Sequence, residues 1–222
     1  MSILKEYHKI DTLFRRAEDG TKRLIIGSWR DATVESVKNI NWVWTEKIDG
    51  TNIRIYWDGH KVSFYGRTDD AMLPADLVNY LNGKFGTLEA EELFEQKFGD
   101  TPMMLIGEGY GRKIGKTGSK YLPNDVSFIL FDVLASCSGG SSCWLKRDAI
   151  EDIAKAFCVD VVPIVGNGTL DQAVKYVMSK PKSTISESVT MEGIVVRPEV
   201  ELKDRLGRRI IAKIKVCDFN EV

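Results

Sequence analysis

Thr45-Glu46-Lys47-Ile48-Asp49-Gly50-Thr51-Asn52 is the stretch whose reading decides how this chain folds and acts. It sets one lysine between two carboxylates at the start of a glycine turn. Upstream, Trp42-Val43-Trp44 reads as a buried strand; downstream, Ile53-Arg54-Ile55-Tyr56-Trp57 alternates with period two, so the octet joins two strands. A charged turn between strands is ordinarily just solvated. Lys-x-Asp-Gly alone is a weak signal, since at ordinary residue frequencies roughly one chain in twenty of this length carries it by chance. Its weight has to come from the surroundings.

Asp58-Gly59 is a two-residue hairpin signal and pairs Trp57 with His60. In that register Ile55 faces Val62 and Ile53 faces Phe64, apolar against apolar, and residue 67 falls opposite residue 50. Arg67, in Tyr65-Gly66-Arg67-Thr68, is therefore expected beside the turn that holds Lys47 and Asp49. The bland alternative is a hairpin with an exposed arginine at its end.

The chain has 222 residues, enough for a sizeable core in one large or two small domains, and one domain spanning 1–222 is the expectation. A formal net charge of -1 supplies no global field toward nucleic acid, so any such binding must use a local patch. Cys137, Cys143, Cys158 and Cys217 show no zinc-type spacing and read as reduced thiols rather than a disulfide framework. No run of eighteen apolar residues occurs, and the opening Met1-Ser2-Ile3-Leu4-Lys5-Glu6 turns charged at once, which is unlike a signal peptide. An intracellular, cytoplasmic, soluble protein is expected.

In the first forty residues Ile10, Leu13 and Phe14 suggest a short apolar helical face, followed by a turn at Asp19-Gly20. Arg15, Arg16, Lys22, Arg23 and Arg30 make this arm locally basic. Helices are expected over 74–81 and 88–98, the second capped by Thr87 and stopped by Gly99. Met103 to Ile106 reads as a short buried strand running into the glycine loop Gly107-Glu108-Gly109-Tyr110-Gly111, where a backbone can approach a ligand beside a carboxylate. Arg112, Lys113, Lys116 and Lys120 then form a flexible basic loop suited to a phosphate backbone or simply to solvent. Val126 to Leu134 is a strand in which Phe131 by default belongs to the core. Beyond a Ser/Gly loop at 136–142, the pattern predicts a helix with Ile150 and Ile153 on its face, a strand over 159–165, a helix over 170–178 capped by Thr169, and a mobile polar loop over 180–188. Strands over 191–197 and 209–216 should pair as a long hairpin, with Lys213 and Lys215 on one face of the second.

Glu46-Lys47-Ile48-Asp49-Gly50-Thr51-Asn52 resembles the nucleotidyl-transfer motif of the covalent nucleotidyltransferases, the ATP-dependent polynucleotide ligases and mRNA capping enzymes, with the nearest likeness to nick-joining phage RNA ligases and RNA-editing ligases. Arg67, Gly107-Glu108-Gly109-Tyr110-Gly111, Phe128-Ile129-Leu130-Phe131-Asp132-Val133, Glu192-Gly193-Ile194-Val195-Val196-Arg197 and Lys213-Ile214-Lys215 recur in the family's order. Asp49 stands where those RNA ligases often carry histidine, as in DNA ligases and capping enzymes.

The resemblance implies an α+β fold, an adenylyltransferase (ATP-grasp-like) domain of antiparallel sheets forming a nucleotide cleft with flanking helices, and no separate C-terminal domain. It implies that Lys47 takes AMP from ATP, that Glu46 and Phe131 contact adenine, and that Arg67 and Glu108 contact the ribose and phosphate end. Glu192, with Asp49, would bind magnesium or manganese (Mg2+ or Mn2+); Lys213 and Lys215 would handle the α-phosphate, and Asp49 and Asn52 would support the nucleotide. The implied partner is nicked or duplex-supported RNA, with a further protein standing in for the missing domain. A lysine attacks phosphorus only as the neutral amine, about four in ten thousand at pH 7 for an ordinary side chain, so nearby cations and burial have a task here. A minimal DNA ligase or other covalent nucleotidyltransferase, and a binding domain without the reaction, are the alternatives.

Overall fold

The computed structural model describes residues 4–19 and 23–219. In chain order, β1 (Phe14–Arg16), β2 (Leu24–Trp29) and the short α1 (Ala32–Ser36) precede β3 (Trp42–Lys47), β4 (Thr51–Trp57) and β5 (Val62–Tyr65). Helices α2 (Ala75–Phe85) and α3 (Leu88–Phe98) are followed by β6 (Met103–Gly111), the one-turn α4 (Gly118–Tyr121), β7 (Val126–Ser136) and β8 (Ser142–Trp144). Then come α5 (Arg147–Ala156), β9 (Asp160–Val161), β10 (Ile164–Gly168), α6 (Leu170–Met178), β11 (Gly193–Pro198) and β12 (Ala212–Lys215). The chain divides into two compact units, one of residues 1–8 and 49–162, the other of residues 9–48 and 163–222. The octet at 45–52 is thus a crossing point, where the chain leaves one sheet at Lys47 and enters another at Thr51.

The first unit is a sheet in the order β5-β4-β6-β7-β8, antiparallel throughout, with β9 added parallel to β7. Ile53, Ile55 and Trp57 bury one face of β4 in a cluster with Leu77, Leu81 and Phe85 of α2, Phe94 of α3 and Ile150 and Ile153 of α5. Thr87 caps α3 by accepting from the Ala90 amide, and Gly99, at φ 56, ends it, as its sequence predicts. α2 continues past Leu81 to Phe85 because the stripe of Leu77, Leu81 and Phe85, each four residues on, is wholly buried.

The hairpin register is a correction. Trp57 pairs with Val62 and Ile55 with Phe64, two places from the expected pairing, because the turn takes four residues: the Asp58 carboxylate accepts from the His60 and Lys61 amides. A shift of two keeps every side chain on its face, so the apolar pairing survives while the predicted meeting of Arg67 with Gly50 does not. β5 ends at Tyr65, and Arg67 lies beyond it.

The glycine stretch 107–111 is also not a loop. It is the second half of the nine-residue β6, and its glycines serve packing: a Cβ on Gly107 would sit 2.4 Å from the Phe128 ring and 2.3 Å from the Ile129 carbonyl oxygen. The expected strand over 159–165 is two strands in different sheets, divided at Val162-Pro163, where proline removes a ladder donor and the chain changes unit.

The second unit is a four-stranded sheet, order β10-β3-β11-β12, and a two-stranded ribbon of β1 and β2. Trp42, Trp44, Ile194, Val196, Ala212 and Ile214 pack with Leu170, Ala173 and Val177 of α6, which starts at a Thr169–Gln172 capping box. Ile10, Leu13 and Phe14 form no helix. Leu13 and Phe14 are buried in an extended segment beside β12, with Lys213 N donating to Asp11 O at 2.9 Å and Leu13 N to Lys213 O at 3.2 Å. Residues 180–188 are likewise held: Ser183 N donates to Val189 O, Met191 N to Pro181 O, and Ser183 is buried. Part of the expected Asp19-Gly20 turn lies outside the described residues. The architecture is α+β with antiparallel sheets and flanking helices, as expected.

Overpacking a filled core costs about 1–3 kcal/mol. Gly107→Ala should therefore lower the unfolding free energy by about that amount, seen as a lower urea midpoint at unchanged m-value, whereas Gly83→Ala, where nothing lies within 4 Å of the added carbon, should be neutral or mildly stabilising.

Candidate active site

β11 lies between β3 and β12, which puts Lys47, Gly193 and Lys215 in one row across three strands. Successive side chains point to opposite faces. Trp44, Glu46, Ile194 and Ile214 are buried on the side of the sheet that faces α6, so Lys47, Lys213 and Lys215 stand on the other. Glu192, just before β11, reaches both neighbours: one carboxylate oxygen is 2.6 Å from Lys47 Nζ and the other 2.5 Å from Lys215 Nζ. All three side chains are less than a third exposed. Gly193 makes the arrangement possible, because a Cβ there would lie 2.1 Å from the Ile214 carbonyl oxygen and force β12 away.

The electrostatics follow from this crowding. Burial, and then the charges of Lys215, Lys47 and Lys9, hold Lys213 below the ordinary lysine value. Burial pulls Lys215 the same way, but the Glu192 hydrogen bond and charge outweigh it and keep that lysine above its usual value. Three ammonium groups around one carboxylate leave a net positive patch, suited to a phosphate group.

Glu46 is not brought to Lys47. Adjacent on β3, the two point to opposite faces, and Glu46 is buried, its Oε1 accepting from Ser183 Oγ at 2.5 Å and its Oε2 from Thr184 N at 2.9 Å. Thr184 Oγ1 donates to the same Oε2. The carboxylate expected to contact adenine is occupied by the 183–184 segment. Neither Ser183 nor Thr184 stood out in a stretch whose polarity reads as solvent-facing.

In the first unit, Asp49 Oδ2 accepts from the amides of Lys116 at 2.9 Å and Thr117 at 2.8 Å and from the Thr117 hydroxyl at 2.7 Å. Asp49 thus shapes the basic loop, which is a different task from the metal binding expected of it. Asn52 is opposite Glu108 on neighbouring strands, and its side-chain oxygen is buried with no hydrogen-bond partner. An orphaned acceptor of this kind fits a bound hydroxyl or amine. Arg67 is exposed, and its carbonyl accepts from Tyr7 N at 3.2 Å.

Phe131 owes its place to a bulge. Ile106 pairs with Asp132 and Gly107 with Leu130, so Phe131 is the extra residue of β7, half-buried, with its ring 5.5 Å from that of Tyr7. Asp132 is buried and accepts from the Tyr7 hydroxyl at 2.7 Å. The only sequence sign of this pair was an aspartate in an otherwise apolar strand.

Arg112, Lys113, Lys116 and Lys120 are exposed, Arg112 in an ion pair with Asp76. In the N-terminal arm Arg16 pairs with Asp218, Arg23 with Asp19 and Arg30 with Asp11, which spends most of its positive charge locally; Lys22 lies outside the described residues. The four cysteines are free thiols. Among the described residues no three His, Cys, Asp or Glu side chains gather as a metal cage. The donor set therefore fits magnesium or manganese only in the way such ions join nucleotides, through a carboxylate such as Glu192 together with phosphate oxygens and water. No helix among the described residues is long and apolar enough to cross a membrane.

Residues 40–215 match the RNA ligase family. Among solved structures, Naegleria gruberi RNA ligase with PPi is 19% identical with a TM-score of 0.62, the match covering 85% of this chain and 53% of that one. A lysine-to-alanine variant of that ligase with ATP and Mn is 18% identical with a TM-score of 0.61, covering 85% and 52%. A glutamate-to-alanine variant with AMP and Mn gives 18% and 0.61, covering 84% and 53%. At such identities the likeness is one of fold, and the chain spans about half the length of those proteins. The family match begins just before β3, ends at Lys215, and takes in Lys47, Glu192 and Lys213: this chain belongs to the RNA ligase family.

Proposed function

We propose that this chain is the adenylyltransferase domain of an ATP-dependent RNA ligase, which takes AMP onto Lys47, passes it to an RNA 5′-phosphate and seals that end to a 3′-hydroxyl. The observation that carries the reading is Glu192 held between Lys47 and Lys215, with Lys213 on the same face. In the first step the neutral Lys47 amine attacks the α-phosphorus of ATP, the P–N bond forms, the bond to the oxygen bridging to the β-phosphate breaks, pyrophosphate leaves, and the proton given up by the amine passes to solvent. Lys213 and Lys215 balance the charge that develops on the phosphate. Glu192 takes up the Lys47 ammonium when no nucleotide is present, and orients it. Arg67, Glu108 and Asn52 contact the sugar and phosphate end, and Phe131, turned outward by its bulge, stacks on the base. A divalent cation bound with the nucleotide would offset phosphate charge. The Naegleria gruberi ligase, solved with ATP, AMP, PPi and Mn, supports these ligand classes.

Incubated with ATP and magnesium, the protein should gain one AMP, seen by intact-mass spectrometry, and Lys47→Ala should gain none. An adduct on Lys47→Ala would remove the mechanism, and preference for GTP would move the assignment toward capping chemistry.

Lys213→Ala and Lys215→Ala should each slow formation of the adduct by about 10²-fold, the range for loss of a transition-state charge partner. Full activity of the double variant would reduce the pair to a solvated strand face.

RNA is distinguished from DNA by contacts to the 2′-hydroxyl, and with a net charge of -1 the grip on nucleic acid depends on the loop of residues 112–120. Sealing should fall steeply with salt and should favour a nick with RNA on the 3′-hydroxyl side over an all-DNA nick. Four nicked duplexes, RNA or DNA on either side of the break, decide this; equal or faster sealing of the all-DNA nick would favour a DNA ligase.

A further inference from the structure

Arg54 is a charged side chain in the middle of β4 with none of its surface exposed. Its neighbours Ile53 and Ile55 face the helix-packed core, so Arg54 points out of the opposite face of the sheet, where other chain segments must cover it. Burying a guanidinium is costly unless its donors are satisfied, and here they are. Nε donates to Gly66 O at 2.6 Å, one terminal nitrogen to Lys5 O at 2.7 Å and the other to Asp69 Oδ1 at 2.6 Å, while the guanidinium lies 5.3 Å from the centre of the Tyr65 ring.

Three of those four partners, Tyr65, Gly66 and Asp69, flank Arg67. The β4–β5 ladder ends with Arg54 opposite Tyr65, so residues 66–69 lie past the sheet bonds of β5, in a turn where Ala71 N donates to Thr68 O. Arg54 grips the backbone one residue before Arg67 and the side chain two residues after it. It also ties in residue 5, and two residues on Tyr7 N donates to the carbonyl of Arg67 itself. The main chain of an exposed arginine is thus gripped on both sides by buried groups.

We infer that Arg54 is a positioning residue for Arg67: its buried, planar set of donors fixes the 65–69 segment and the strap of residues 5–7 to one another, and so sets where the Arg67 guanidinium meets the nucleotide. The inference rests on the reading of Arg67 as a nucleotide contact. Lysine cannot substitute, because one ammonium does not span three acceptors in a plane. Asp69, whose side chain is 58% exposed, offers a second way to disturb the grip that leaves the buried arginine itself in place, its cost to folding read from the melting temperature.

The test is the rate of AMP transfer to Lys47, as kcat/KM for ATP, in Arg54→Lys, Asp69→Ala, Arg67→Ala and the Arg54→Lys, Arg67→Ala double variant, with melting temperatures beside it. Misplacing a contact by an ångström is worth on the order of 10²-fold, so Arg54→Lys and Arg67→Ala should each lose about that much and Asp69→Ala a smaller part of it. In the Arg67→Ala background Arg54→Lys should cost nothing further in rate, although it lowers the melting temperature as it does alone. A purely structural arginine gives the contrary result, losses that multiply, and that result overturns the inference. So does a native rate in Asp69→Ala or in Arg67→Ala. Should Arg54→Lys fail to fold, the Asp69→Ala, Arg67→Ala pair carries the same cycle. If the native protein forms no adduct, the functional reading fails separately, and ATP affinity by calorimetry serves for the cycle: non-additive losses uphold the positioning role and additive losses overturn it.

Discussion

Glu192, shared between Lys47 and Lys215, is the interaction on which the second unit's arrangement depends. A half-buried carboxylate is favoured by having partners, and the two strands on either side of β11 supply them. The condition for that is geometric. Strands at ladder spacing put Lys47 and Lys215 on either side of residue 193, and only a residue without a Cβ lets β12 come in that far. Motif and sheet are therefore one object: the Glu-Gly step is at once a charge partner for two lysines and the point at which three strands close. Loss of the Glu192 carboxylate would leave two half-buried ammonium groups facing each other, so charge balance and chemistry are coupled at this position.

Strand alternation divides the labour around the motif. Glu46 and Lys47 are neighbours in sequence, yet one lies on the α6 side, clasped by Ser183 and Thr184, and the other stands on the opposite face with Lys213 and Lys215. The clasp gives the 180–188 segment a structural task that its polarity conceals. In the first unit a comparable effect comes from a single extra residue. The bulge at Phe131 breaks the alternation of β7, so that Phe131 is half-exposed while Asp132 turns inward to the Tyr7 hydroxyl. Without the bulge the strand would present a different side chain at each of these places.

Charge in this member of the RNA ligase family is spent locally. Three of the N-terminal arginines, Arg16, Arg23 and Arg30, are answered by an aspartate, and Arg15 donates to the Trp29 carbonyl, which weakens the case for the arm as a nucleic-acid surface. The loop of residues 112–120 keeps Lys113, Lys116 and Lys120 exposed, and its shape is set by Asp49 through two amides and a hydroxyl. The carboxylate two residues beyond the proposed nucleophile therefore acts on the backbone of a basic loop. That is a physical reason for an aspartate at this position which does not depend on the type of nucleic acid.

Sequence alone determined what local pattern and composition can carry: the α+β class, the caps and ends of α3 and α6, the buried strand before Lys47, and the placing of Lys213 and Lys215 on one strand face. These are properties of neighbours in the chain, where propensity, capping and alternation act. The motif residues were legible as a set because their types recur in order, which says nothing of their geometry. Tertiary structure decided the rest. The hairpin register moved by two because an Asp58 side chain closed a longer turn; the 107–111 glycines joined a strand because the Phe128 ring fills the space beside them; and Ile10 to Phe14 became extended because β12 offers backbone partners. The buried Arg54, the Tyr7–Asp132 pair and the clasp on Glu46 join residues up to 138 places apart in the chain. No local pattern announces such pairs, since what makes a polar side chain buried is the arrival of a distant segment that satisfies it.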